Sequence, residues 1–327
     1  MKIKYLFILL ILFASMLTAQ LKYSVGVGTG LFFTDGSQSY TNSQKYFNGQ
    51  FKLQYDLKGE NNKGGFQFLA LPEIYGSDDL VRSLKLKIEG NYQEKYGDFT
   101  WGINLSKKYY LFNSISLDNT FDIYFVQPFL DWKLAESIPA RTTMGIAYQD
   151  ISGLFEQTSD LVFLENRLFH YFTPYTNLSY GIYLERFALS AKNKNSGWRV
   201  GPLFQINHIK SYVFNLQVKF LIHSSELTTG FSSESIIRLL AGTIIFKDFS
   251  AFFIADYNWR NFNYNSSDDI LPYSLIDSEN NIHVKLSYKT AITSELYLRG
   301  GYFNQDFLNN NLSLKGWNLI AGFKISN

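Results

Sequence analysis

The feature that most constrains this 327-residue chain is a two-residue period in hydrophobicity that returns along its whole length. From Phe47 to Leu57 the odd positions Phe47, Phe51, Leu53, Tyr55 and Leu57 are apolar, while Asn48, Gln50, Lys52, Gln54 and Asp56 lie between them. Leu84, Leu86, Ile88 and Tyr92 alternate in the same way with Lys85, Lys87, Glu89 and Asn91. Phe99, Trp101, Ile103 and Leu105 alternate with Thr100, Gly102, Asn104 and Ser106. Ile115, Leu117, Phe121, Ile123 and Phe125 alternate with Ser116, Asp118, Thr120 and Asp122, and Tyr212 to Ile222 repeats the pattern around Asn215, Gln217 and Lys219. Successive side chains of a strand point to opposite faces, so each stretch reads as a strand with one oily side and one wet side. A helical period is not sustained anywhere, and the chain is all-β.

A soluble sandwich alternates too, so other features choose the architecture. The strands run about 9 to 13 residues, longer than the usual 5 or 6 and matched to a tilted bilayer crossing. Aromatic residues gather near strand ends, as in Tyr23 with Phe32 and Phe33, Tyr92 with Tyr96 and Phe99, or Trp259 with Phe262 and Tyr264; such rings suit the boundary between hydrocarbon and water. Short connections, at 247–248, 208–211 and 290–293, alternate with long ones rich in Asn, Ser, Asp and Gly, at 34–45, 223–234, 260–280 and 304–315. Together these features predict a transmembrane, antiparallel, up-and-down β-barrel of about 16 strands. Fourteen or eighteen stay open, because 114–134 is too long for one crossing and 174–192 has the same problem. Pro72, Pro128 and Pro202 fall inside predicted strands, where the missing N–H predicts a bulge, a strand end or a displaced boundary.

Residues 1–20, MKIKYLFILLILFASMLTAQ, place two lysines before an apolar run from Tyr5 to Phe13 and then small and polar residues. This is the layout of a secretory signal peptide, with a core shorter than the roughly 20 residues of a spanning helix. The expected division is a signal peptide over 1–20 and a single barrel domain over 21–327. Lys2 and Lys4 account for the whole formal charge of +2, so the remainder, with 28 Lys and Arg against 28 Asp and Glu, is neutral. A neutral chain lacks the basic footprint of a nucleic-acid partner. The absence of cysteine excludes disulfides, Cys-ligated metals and a lipidated N-terminal Cys.

The pattern, with Gln20 after the expected cut, an Asn-, Tyr- and Phe-rich composition and an amphipathic last strand through Trp317, Leu319, Ala321, Phe323 and Ile325, resembles the Gram-negative outer-membrane β-barrels, in the style of Bacteroidetes-type envelopes and with a porin-like size. The resemblance carries no specific family signature. It implies a bacterial outer-membrane location, outer-membrane lipid and the barrel-insertion machinery as partners, and a homo-oligomer or an envelope complex as further assemblies. Such barrels usually finish on an aromatic residue, whereas this chain ends Lys324-Ile325-Ser326-Asn327, which leaves Phe323 to serve from a displaced position.

Candidate catalytic chemistry is thin. The four histidines, His170, His208, His223 and His283, are not at metal-ligand spacing with one another or with carboxylates. His223-Ser224-Ser225 offers a His and a Ser close together, but it reads first as a solvated histidine at the start of a loop. Asp78-Asp79 and Asp268-Asp269 read as turn formers before they read as a calcium site or paired acids. Gly26-Val27-Gly28-Thr29-Gly30 alternates within a strand and suits close approach of another segment better than a phosphate. No enzyme activity, metal or cofactor is expected.

What remains is the wet face, since a barrel of about 16 strands is wide enough to hold an aqueous lumen. The expected pore-lining charges are Lys52, Lys85, Lys87, Glu89, Asp118, Asp122, Lys219, Asp256, Lys285, Lys289 and Arg299. The expected function is passage of small solutes through the lumen. The alternatives are a non-conducting barrel that anchors an envelope secretion or export machine, and a transporter of hydrophobic compounds, suggested by apolar residues on both faces of 239–246 and 252–255.

Overall fold

Alternating side chains become a closed wall when every strand finds a partner on both edges. In a computed structural model the described residues, 20–34, 44–59, 61–76, 81–114, 117–153, 156–190, 195–226, 231–261, 280–306 and 313–327, do this through sixteen antiparallel strands. They are β1 (Gln20–Thr34), β2 (Gln44–Lys58), β3 (Asn62–Gly76), β4 (Val81–Tyr96), β5 (Phe99–Ser114), β6 (Leu117–Ala135), β7 (Ile138–Gly153) and β8 (Gln157–Thr173). The second half comprises β9 (Thr176–Ser190), β10 (Asn195–Ile209), β11 (Tyr212–Ser225), β12 (Ser232–Phe246), β13 (Phe249–Asn261), β14 (Asn280–Ala291), β15 (Ser294–Asp306) and β16 (Ser313–Ser326). Each strand pairs with its sequence neighbours, and β16 returns to β1 in a register that matches Val25 to Ile325 and Gly28 to Gly322. The leader expected over 1–20 lies outside the described residues except for Gln20, which opens β1 opposite Asp56.

The tight turns among the described residues, at 97–98, 136–137, 174–175, 210–211, 247–248 and 292–293, fall at one end of the barrel, where the short connection from β2 to β3 also lies. Gly97 adopts a positive φ of 59° there, a conformation that costs glycine nothing. One-residue register shifts follow Lys133, Tyr171, Ile244 and Lys289, so β6, β8, β12 and β14 each carry a bulge beside the turn that ends them. The opposite end holds the long connections, but 115–116 and 154–156 are as short as the turns. The strands they join are the longest: β6 has 19 residues and β8 has 17. Chain that elsewhere forms loops is here spent on strand. The long stretch after Ser114 is therefore one strand, β6, as is β9 after Pro174.

The three prolines expected inside strands act differently from the sequence expectation. Pro72, Pro128 and Pro202 each keep a place in a ladder, opposite Leu84, Ile103 and Ile182. On the other edge pairing skips two positions and resumes unshifted, between Asn48 and Phe51 beside Pro72, Val126 and Phe129 around Pro128, and Val200 and Leu203 around Pro202. A missing N–H faces one neighbour only, so the result is a short gap in one ladder and not a bulge, a strand end or a moved boundary.

The outside is a belt of exposed apolar side chains, with Val25, Val27, Leu105, Ile146, Val162, Ile182, Val200, Phe220 and Leu298 among them. Exposed Tyr96, Phe99, Tyr171, Phe172, Tyr212 and Phe246 edge it at the turn end, and Tyr148, Trp198, Trp259 and Trp317 at the loop end. A strand of 12 to 16 residues is about 40–50 Å long at roughly 3.3 Å per residue, enough to cross about 30 Å of hydrocarbon at the tilt of a barrel. An apolar belt between two aromatic girdles on a closed sheet belongs in lipid, since no soluble protein leaves so continuous a band exposed to water.

Candidate functional site: the lumen

The inward positions follow from register and burial. Ser24, Gly26 and Gly28 of β1 are buried while Tyr23, Val25 and Val27 are exposed, and pairing carries that face around the barrel. Two walls of different character result.

Along β6 to β12 the inside is packed. Leu161, Phe163, Tyr183, Phe187, Leu189, Leu203 and Leu221 form one buried cluster, which Phe125 of β6 and Ile236 of β12 join from its two sides. Gly145 of β7 has no side chain because the ring of Phe163 lies where one would stand, 2.1 Å from the place of a Cβ. Phe121, Ile123 and Ile151 make a second cluster toward the loop end. Each Leu or Phe so excluded from water contributes about 1.5–3 kcal/mol.

Charges are threaded through this packing in saturated networks. Arg199 donates through Nε and Nη2 to both oxygens of Glu185, at 2.8 and 2.7 Å, and through Nη1 to Glu234. Tyr183 donates its hydroxyl to Glu185, and Asn258 donates to Glu234 at 2.6 Å. Side-chain exposures of 4% for Arg199, 0% for Glu185 and 1% for Glu234 mean that losing one member strands the others without water. Next to this network Glu165 accepts from Arg167 at 2.5 Å and Lys219 at 3.0 Å, and the Lys219 ammonium lies 4.1 Å from the centre of the Tyr183 ring. Nearer the turns an amide ladder runs from Arg167 through Gln205 and Asn207 to Asn177.

The other wall, β13 through β16 and β1 to β5, is thinner and polar. Its inward positions include Gln50, Lys52 and Gln54 of β2, Lys85, Lys87, Glu89 and Asn91 of β4, and Ser106 and Lys108 of β5. The far strands bring Asp256 of β13, His283, Lys285 and Ser287 of β14, Glu295, Tyr297 and Arg299 of β15, and Lys324 of β16. Tyr297 lies flat against the wall because Gly28 and Gly322 leave room: its ring and hydroxyl stand 2.3 and 2.4 Å from the place of a Cβ on Gly322.

Between the walls the lumen holds open space. One cavity of about 530 Å³ is lined from one side by Lys87, Glu89, Ser106, Lys108 and Tyr110 and from the other by Arg238, Asp256 and Asn281. A second, of about 600 Å³, runs beside the packed wall past Glu165, Arg167, Arg199, Gln217 and Lys219. Phe125, Gln127 and Arg238 line both, so the two adjoin.

The expected pore-lining residues distribute as follows. Lys52, Lys85, Lys87, Glu89, Lys219, Asp256, Lys285, Lys289 and Arg299 occupy inward register positions, and Lys87, Glu89, Lys219 and Asp256 border the two cavities. Asp122 is a correction. It pairs with Tyr109 and Asp150 on the outer face, bonds Lys107 at 3.0 Å, and leaves Phe121 and Ile123 to point inward. Asp118 shares the even register of β6 with Asp122, and its side chain lies outside the described residues. Glu165, Arg167, Glu185, Arg199, Glu234, Arg238, Lys108, Glu295 and Lys324 were missed. Their signal was a charged residue at a wet position of a recognised strand, obscured where the neighbouring wet positions are apolar.

His223 also differs from expectation: it is buried on β11, stacked on Phe187 with ring centres 5.2 Å apart, and Ser224 faces the opposite side. Asp78-Asp79 and Asp268-Asp269 lie outside the described residues. Among the described residues no group of His, Asp and Glu is placed to hold a metal ion.

Fold and lumen define the class: a sixteen-stranded membrane β-barrel with a polar, partly filled interior. No family model matches the chain, and no curated protein matches it in sequence. Solved structures resemble it at low identity. CdiB from Acinetobacter baumannii is 8% identical with a TM-score of 0.48, over 94% of this chain and 60% of that one, so the chain spans about three-fifths of that protein. A BenF-like porin from Pseudomonas fluorescens Pf-5 is 9% identical with a TM-score of 0.46, over 95% and 99%. OccAB4 of Acinetobacter baumannii is 10% identical with a TM-score of 0.47, over 94% and 98%. At these identities the likeness concerns the barrel fold alone.

Proposed function

We propose that this chain is an outer-membrane channel that lets small solutes through its lumen. The observation that carries the reading is the open space between the walls: two adjoining cavities of about 530 and 600 Å³, bordered by charges and amides, each of the size that holds one small molecule. A barrel of 16 strands encloses more width than its side chains fill, and here the filling is concentrated on one wall. Residues 1–20 fit export through a cleaved leader, and the apolar belt fits outer-membrane lipid as the surroundings. Insertion by the envelope's barrel-assembly machinery and association into homo-oligomers or an envelope complex belong to the same reading.

Purified protein added to a planar bilayer is expected to give discrete, uniform conductance steps. Folding is verified beforehand by the shift in gel migration between unboiled and boiled samples. Silence over many insertions of protein that passes that check overturns the channel reading.

A further inference from the structure

Although the chain after its leader is neutral as a whole, its charges are not spread evenly over the surfaces of the barrel. On the polar wall the inward carboxylates whose side chains are described are Asp56, Glu89, Asp256 and Glu295, and each stands beside a cation: Lys22 at 2.9 Å, Lys87 at 2.7 Å, Arg238 at 3.6 Å and Lys285 at 2.6 Å. Cations on the same wall exceed them. Lys52, Arg299 and Lys324 sit on inward positions of β2, β15 and β16 with no carboxylate within 4 Å among the described residues. Lys52 and Lys324 flank the small residues Ser24 and Gly26 of β1, within electrostatic range of one another.

The balancing carboxylates are elsewhere. Glu165, Glu185 and Glu234 are held by arginine and lysine within the packed wall. Asp122, Asp150 and Asp160 lie on the outer face toward the loop end. A wet passage between low-dielectric walls focuses the field of the charges that line it, so the surplus acts on any ion inside.

We infer that the lumen prefers anions, and that its natural cargo is small acidic solutes bearing carboxylate or phosphate groups. The inference rests on the channel reading and specifies the substrate class of that same passage.

The test is the reversal potential of single channels under a potassium chloride gradient, kept near 0.1 M on the dilute side, where screening extends over about 10 Å. The wild-type potential is expected to move toward that of chloride, with chloride several-fold more permeant than potassium. Lys52→Glu and Lys324→Glu should each lower that ratio and together bring it to unity or below, and the milder Lys52→Gln should lower it in part. Asp122→Asn, on the lipid side, should leave it unchanged. A wild-type channel that prefers potassium, or a ratio indifferent to all three lumen variants, overturns anion preference while leaving the channel intact. Absence of conductance overturns both.

Discussion

The wall from β6 to β12 and the wall from β13 round to β5 are built from the same alternating strands, yet their insides solve opposite problems. The first excludes water: Leu203 and Leu221 are fully buried, and the Glu185, Arg199 and Glu234 side chains satisfy one another with help from Tyr183 and Asn258. The second admits water: Lys52, Gln54, Lys85 and Lys324 stay partly exposed, and Tyr297 is pressed flat onto glycines. The packed wall supplies cohesion that a wide barrel does not obtain from its lipid-facing belt, since lipid tails solvate the outer side chains as well as a neighbouring protein would. The polar wall, relieved of that task, is free to carry charge toward the lumen.

The contrast is broken most severely by Arg199→Ala. It removes the cation from two buried glutamates, and breaking a buried network of this kind costs about 3–5 kcal/mol. Urea unfolding of the detergent-solubilised barrel should show a lower midpoint, whereas Lys52→Ala on the polar wall should change the unfolding free energy by no more than about 0.5 kcal/mol. Equal losses from the two variants would erase the distinction between the walls. Gly145→Val should come next, because a side chain there meets the Phe163 ring and overpacking of this sort costs about 1–3 kcal/mol. The same unfolding assay checks it, and Phe163→Leu in the same chain should recover part of the loss. Smallest in stability, but sharpest on the lumen, is Gly322→Ala. The new methyl displaces Tyr297 from the wall, so unit conductance should fall while the unfolding free energy drops by about 1 kcal/mol. Tyr297→Ala on that background should restore the conductance.

The strand plan was legible in the sequence because turns and alternation are local. The alternating stretches at 47–57, 84–92, 99–105 and 212–222 lie inside β2, β4, β5 and β11, the strand count matches the expected sixteen, and even the overlong stretch after Ser114 proved to be a single strand. The orientation of β6 was not legible. Alternation shows that two faces differ, not which of them meets lipid, and from Phe121 to Phe125 the oilier set turns inward because the packed wall is itself apolar inside. Asp122 was accordingly assigned to the lumen and stands outside, held by Lys107, whose ammonium also lies 4.8 Å from the centre of the Tyr124 ring. The Glu185, Arg199 and Glu234 network was hidden for a related reason: its members are separated by 14 and 35 residues and meet only through strand register.

The seam between β1 and β16 sets a condition on assembly. The Tyr23 amide donates to the side chain of Asn327, 304 residues away, at 2.7 Å, and the ladder beside it joins the first strand of the barrel to the sixteenth. Until the sixteenth arrives, the first has one unpaired rim, as does the growing front of the sheet, and both invite pairing with strangers. Neighbouring hairpins can form early, but the ring stays a ribbon until almost the whole polypeptide has been delivered, so chaperoning must outlast synthesis and release must wait for the ends to meet.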